Sequence, residues 1–418
     1  MEVYRDIDEL NRDISDRGTD AIDRLVCTAV FSEELKDEAR SRIREMAKDR
    51  GIFCASIYPF YKERPENLTV PAINIRGLTY DVARSVFSVC NKKGIGAIIF
   101  EIARTEMKYT DQPPKEYAAV VMAAAIKEGF SGPLFLQGDH FQVKRKDFAE
   151  IEAVKSLIKD SIDAGFYNID LDTSTLVDLR KPTVAEQQRA NFEMAAELTN
   201  FIREIEPEDV VVSLGGEIGE IGGKNSTEKE LREYIKGYRE CIGDSIGIAK
   251  IAVQTGTTHG GIPLADGSLA KVKLDFDTLS ALGRIARSEY GLAGCVQHGA
   301  STLPLELFDK FPANYTIEVH LATEFQNIIY DLIPEDLREK VYRYLREEFS
   351  SEKKEGQTDQ QFIYKTRKKG FGPFKKEFWK LDTETKERMR SALSEKFSFM
   401  FEKLGVTNTK ERILTCLQ

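Results

Sequence analysis

The sequence predicts a (β/α)8 barrel, the TIM-barrel class of α/β fold, with helical segments added at both ends. From Leu68 onward, short β-branched runs alternate with stretches of about 12 to 20 residues at helical spacing, the pattern of repeated βα units. The alternation gives eight strand candidates over about 265 residues, a count and length that suit the closed barrel better than an open doubly wound sheet. No glycine-rich GxGxxG follows the first strand, which speaks against a dinucleotide-binding sheet.

Residues 1–67 form a helical preface in this reading. "DIDELNRDISD" and "SEELKDEARSRIREMAKDRG" show helical spacing, acidic starts and, in the second, a closing Gly. The barrel occupies 68–330. Its strands are "LTVPAINI", "GAIIFEI", "PLFLQGD", "YNIDLD", "VVVSLGGE", "IAKIAVQTG", "GCVQH" and "TIEVHLA". Helices are expected between them at 79–93, 115–129, 147–164, 184–204, 227–240 and 277–290, with a short one near 303–311. Residues 331–418 form a second helical extension, in which two amphipathic helices, "PEDLREKVYRYLREEF" and "TETKERMRSALSEKFSFMFEKLG", flank a polar, basic link.

A chain of 418 residues with 41% hydrophobic and 31% charged residues is long and apolar enough to bury a large core. Its net charge of -9 disfavours a nucleic-acid or anionic-membrane partner, because both need a basic field. No apolar run approaches the roughly 20 residues of a membrane span, and the start lacks a signal peptide's basic and apolar regions. A cytoplasmic enzyme is expected. The six cysteines show no CxxC pair and are read as reduced thiols.

All four histidines, His140, His259, His298 and His320, fall at or just past the ends of the third, sixth, seventh and eighth strands. In a barrel those ends converge on the active-site face. Three neutral imidazoles with one open position make a common catalytic zinc site, and His140, His259 and His298 are assigned to it. Each stands beside a glycine, in "GDH", "THGG" and "QHGA". Carboxylates gather on the same rim: Asp139, Asp172 and Glu217. A metal-polarised carbonyl acidifies the neighbouring C–H, and a carboxylate in reach can move the proton. Asp139 is chosen for that role; the bland alternative is a loop-capping Asp or an orienting partner of His140, the position also open to Asp172.

Taken in order, "VPAINIRGL", "EIARTEMKYT", "GDH", "GFYNIDLDTS", "GEIGEIGG", "VQTGTTHGG", "LDFDTL" and "QHGAS" resemble the class II ketose-bisphosphate aldolases. The resemblance implies metal-dependent aldol cleavage or condensation of a phosphorylated or otherwise anionic ketose through a metal-bound enediolate. Zn2+ would sit on His140, His259 and His298, with Glu217 as an alternative ligand and a monovalent cation nearby. Asp139 would serve the hydroxyl whose deprotonation breaks the carbon–carbon bond. Gly260, Gly299 and Ser301 would cradle a phosphate, Asn74 would face the substrate, and the chain would form a homo-oligomer.

The chain departs from the family pattern at four places. The acidic pair on a long loop after "GEIGEIGG" is replaced by Lys224 and Asn225, and Thr227 with Glu230 reads as a capping box. Ala103 and Arg104 replace a serine and a non-basic residue, so Arg104 is a candidate grip on a substrate anion or else a rim arginine. His320 stands where the family has an asparagine, and Thr302 where it has a glycine, which puts His320 in the substrate site. The added termini are the fourth: "YKTRKKGFGPFKKEFW" is either a lid over an anionic substrate or a solvated linker or oligomer contact. Two competing readings follow, an epimerase or isomerase of sugar acids or sugar phosphates using the same enediolate, and a non-catalytic partner subunit of an aldolase.

Overall fold

The computed structural model describes residues 2–219, 224–256 and 274–418. A short strand β1 (Ile52–Cys54) precedes eight others: β2 (Val70–Asn74), β3 (Ile99–Ala103), β4 (Gly132–Gln142), β5 (Asn168–Asp172), β6 (Ser213–Gly219), β7 (Lys250–Val253), β8 (Cys295–Gln297) and β9 (Thr316–Leu321). Each of β2 to β9 pairs in parallel with its sequence neighbour, and β2 also pairs with β9, so the sheet closes on itself. The eight strands expected from sequence are these eight. Apart from polar residues such as Glu101, Gln137, Asp170, Lys250 and Glu318, they read as apolar runs, because a parallel sheet wrapped in helices is buried on both faces; every residue of β2 and β3 is buried.

The helices between strands begin and end where local chemistry directs. Thr79–Lys93 stops at Gly94, whose φ of +59° is the left-handed conformation that glycine enters at least cost. Phe148–Ala164 starts on Asp147, which accepts the backbone N–H of Glu150. Val184–Ile205 and Glu228–Ile242 start on the capping boxes Thr183/Glu186 and Thr227/Glu230.

The two ends of the chain differ from the sequence expectation in detail. The preface contains the helices Ile7–Arg17, Ile22–Phe31 and Lys36–Lys48, but it also contributes β1, which pairs with Gly132–Leu134 at the start of β4. The link near residue 360 is ordered into Asp359–Thr366, Lys375–Trp379 and intervening turns, and a last helix spans Lys410–Cys416. These pieces line the barrel wall. Thr383–Lys403 packs along Thr79–Lys93, where Arg390 pairs with Asp81 at 2.5 Å, and Phe397 meets Phe325 with ring centroids 4.6 Å apart. Thr409 Oγ1 accepts the N–H groups of both Gly96 and Ala97 at 3.1 Å. Among the described residues no helix is long and apolar enough to cross a membrane.

Candidate active site

The C-terminal ends of the barrel strands surround a cavity of about 390 Å3. At the end of β4 the backbone is bent to serve it. Pairing with β5 slips between Gly138 and Phe141, and His140 takes a φ of +42°, a strained value for a residue with a Cβ. Gly138 permits the bend, because a Cβ there would lie 2.3 Å from the Phe141 ring. As a result Asp139 and His140 both line the cavity instead of pointing to opposite faces.

Asp139 is buried, with Oδ1 3.1 Å from His320 Nδ1 and Oδ2 accepting from Asn74 Nδ2 at 3.4 Å. His140 turns Nδ1 toward Glu217 Oε2 at 3.2 Å and Asp172 Oδ2 at 3.4 Å, and its Nε2 lies 3.7 Å from Asp139. The His298 ring lies between those of His140 and His320, 4.2 Å from each. Asp172 is itself fixed by Gln142 Nε2 at 2.7 Å and by Ser174 Oγ at 2.7 Å.

The charges are crowded, and the titration of the groups reflects it. Burial opposes a charge on His140, but the Asp139 and Glu217 carboxylates outweigh it and hold the imidazole well above its usual pKa. Burial and then Asp172 push Glu217 up to about 6. Asp172, although buried, is held below the usual carboxylate range by its bond from His140. A divalent cation suits this donor set, since Asp139, His140 and His298 offer ligand atoms within 4.8 Å of one another, as do His140, Asp172 and Glu217.

Of the residues singled out from sequence, Asn74, Asp139, His140, Asp172, Glu217, His298, Gly299, Ser301 and His320 all line the cavity. His259 and Gly260 lie outside the described residues. Arg104 is placed differently from the expected substrate grip and is absent from the cavity lining. It donates to Glu150 through Nη1 at 2.7 Å and Nη2 at 3.2 Å, and to the Gln142 carbonyl at 2.6 Å. Asn225 donates to Asp275 at 3.0 Å.

Four charged residues in the lining were not singled out: Arg76, Glu101, Glu106 and Lys368. The first three sit inside the segments "VPAINIRGL" and "EIARTEMKYT", two or three positions from Asn74 or Arg104. Glu106 accepts from Asn74 at 2.5 Å and from Arg76 Nε at 2.7 Å. Lys368 comes from the C-terminal segment, which no periodicity tied to the barrel mouth. That segment is neither solvated nor loose: Phe371 is buried against Gly77, and Gly372 sits where a Cβ would lie 2.4 Å from the Tyr109 carbonyl oxygen. Burial and then the neighbouring Arg76 lower the pKa of the Lys368 ammonium.

The model of the family "Fructose-bisphosphate aldolase class-II" matches residues 60–400, which takes in the barrel and most of the C-terminal helices. No curated protein matches by sequence. Several solved structures share the fold. A fructuronate-tagaturonate epimerase from Cohnella laeviribosi is 16% identical with a TM-score of 0.58, covering 82% of each chain. A probable tagatose 6 phosphate kinase from Sinorhizobium meliloti 1021 is 14% identical with a TM-score of 0.57, covering 83% of this chain and 93% of that one. A fructose-bisphosphate aldolase from Campylobacter jejuni is 17% identical with a TM-score of 0.52, covering 86% and 96%.

Proposed function

This chain belongs to the class-II fructose-bisphosphate aldolase family, and from that premise we propose that it is a zinc-dependent aldolase acting on a phosphorylated or otherwise anionic ketose. The observation that carries the reading is the placement of Asp139: a buried carboxylate held between Asn74 and His320, beside two imidazoles whose rings converge at 4.2 Å. His140 and His298 would hold the ion together with His259, with Glu217 as the alternative ligand. A bound divalent ion supplies a Lewis acid that polarises the ketose carbonyl.

The remaining work falls to the chain's own side chains. Asp139 takes the proton from the substrate hydroxyl whose deprotonation breaks the carbon–carbon bond, and returns it in the reverse direction. Asn74 and His320 keep that carboxylate aimed into the cavity. Asp172 fixes the His140 ring through Nδ1, as carboxylates commonly do behind a metal-binding imidazole. Ser301 and Gly299 at one side, and Arg76 and Lys368 at another, receive the anionic ends of the substrate.

A second reading, epimerisation or isomerisation of a sugar acid or sugar phosphate, is favoured by one observation. Lys224 and Asn225 occupy the positions of the family's acidic pair, so the second proton carrier of the cleavage reaction is missing there. The fold shared with the Cohnella epimerase is compatible with it. A screen of phosphorylated and acidic ketoses with zinc, cobalt and manganese separates the readings, with aldehyde release expected for an aldolase and an isomeric ketose for an epimerase. Purified protein is expected to carry about one divalent ion per chain, lost in His140→Ala, His259→Ala and His298→Ala. A chain that holds no ion, and is indifferent to His259→Ala, would instead be a non-catalytic partner subunit.

A further inference from the structure

Below the cavity the barrel is filled with charge where such barrels usually carry layers of Val, Ile and Leu. Lys250 of β7 is the centre, its side chain only 1% exposed. Its ammonium donates to Gln137 Oε1 at 2.8 Å, lies 2.9 Å from Asp170 Oδ1, and bonds Glu318. Gly215 of β6 makes the meeting possible. It is the register partner of both Asp170 and Lys250, and a Cβ on it would lie 2.2 Å from Asp170 Oδ1 and 3.0 Å from Lys250 Cε.

From Lys250 the bonds lead toward the cavity. Glu318 Oε1 also accepts from Gln137 Nε2 at 2.8 Å and lies 2.7 Å from His320 Nε2, while Glu318 Oε2 accepts from the Tyr61 hydroxyl at 2.5 Å. On its other side His320 Nδ1 lies 3.1 Å from Asp139 Oδ1 and 3.0 Å from Glu101 Oε2. A buried ion network of this kind is a poor way to gain stability, because well-packed apolar side chains of similar volume commonly do as well or better. Its geometry has another use.

We propose that Lys250 is a positioning residue for Asp139, acting through Glu318 and His320. The ammonium fixes the Glu318 carboxylate, Glu318 fixes the His320 ring by Nε2, and His320 Nδ1 fixes the carboxylate that faces the substrate. The proposal rests on the reading of Asp139 as the proton-moving group, and its test is built to fail separately from that reading.

The test uses the full zinc-loaded chain labelled with 15N-histidine, in which the His320 signals are identified by their loss in His320→Asn. Lys250→Met keeps the length of the side chain and removes the charge. Lys250→Met/Asp170→Asn removes a cation and an anion together and serves if the single variant does not fold. In either folded variant the His320 ring nitrogen signals are expected to move. With fructose 1,6-bisphosphate, or with fructuronate if the acidic ketoses prove productive, kcat is expected to fall about 10- to 100-fold at unchanged KM, the range typical of supporting residues around a metal site. His320 signals that stay in place, or a kcat equal to the parent's, overturn the proposal. If the parent turns over no ketose, or Asp139→Asn remains active, the functional reading fails while the His320 signals still decide the role of Lys250.

Discussion

Arg104 illustrates how a residue's type and position fall short of its role. A cation at the end of β3 was a reasonable grip for a substrate anion, but Glu150, 46 residues further on, takes its guanidinium instead. That pairing holds Glu150 down to about 2. Because the native pKa is depressed, the stabilisation is present above the ordinary glutamate range and is lost as pH falls through about 2. Arg104→Gln is expected to cost about 1 kcal/mol at neutral pH, a value kept small by solvent at the rim, with the deficit vanishing in strong acid and KM unchanged; urea titrations at two pH values check it. Glu101 behaves oppositely. Burial raises it from 4.5 to about 7, outweighing His320, so its protonated form favours the folded state below about 4.5 and this contribution disappears as pH rises through about 7. Metal-free protein should therefore lose melting temperature across that window, and Glu101→Gln should flatten this part of the profile.

At the scale of elements, the barrel's strands and helices were legible because each follows from local rules: apolar runs, capping boxes and a terminal glycine. The helix expected at 79–93 is Thr79–Lys93. β1 was not legible, since three residues, Ile52–Cys54, make no pattern until Gly132–Leu134 lies beside them. For the segment around Lys368 the sequence left a lid, a solvated linker and an oligomer contact open, because its order comes from long-range contacts. The Phe371 ring sits where a Cβ on Gly77 would approach to 2.1 Å, and it packs 5.2 Å from Tyr330 and 5.0 Å from Phe378. Gly77→Ala should therefore cost about 1–3 kcal/mol by overpacking, and Phe371→Ala about 3–5 kcal/mol by leaving a cavity. Both changes are expected to raise KM for an anionic ketose, because they loosen the segment that brings Lys368 to the cavity. Steady-state kinetics beside thermal melts would show a loss of stability alone if Lys368 has no part in binding.

Taken whole, the molecule wraps its barrel in both ends of its own chain. Thr69 donates to the Leu404 carbonyl at 2.8 Å, and a Cβ on Gly405 would fall 2.5 Å from the Asn67 carbonyl oxygen. Arg40 of the preface pairs with Glu116, which Lys375 also reaches at 2.6 Å. A chain ending at residue 330 should expose the buried face of Thr79–Lys93 and cut short the helix that begins at Thr323, and is expected to be insoluble or molten. A single calorimetric transition is expected for the full chain, whereas two separate ones would show that the ends fold apart from the barrel. By itself the sequence determined the closed barrel and the gathering of acid and imidazole at its mouth, because strand periodicity and the direction of parallel strands are local properties that carry strand ends to one face. The tertiary structure alone decided that Arg104 turns to Glu150, that Lys368 reaches the cavity, and that Lys250 stands behind Asp139. Those depend on which distant side chains compete for one buried charge, and no local pattern records the outcome of that competition.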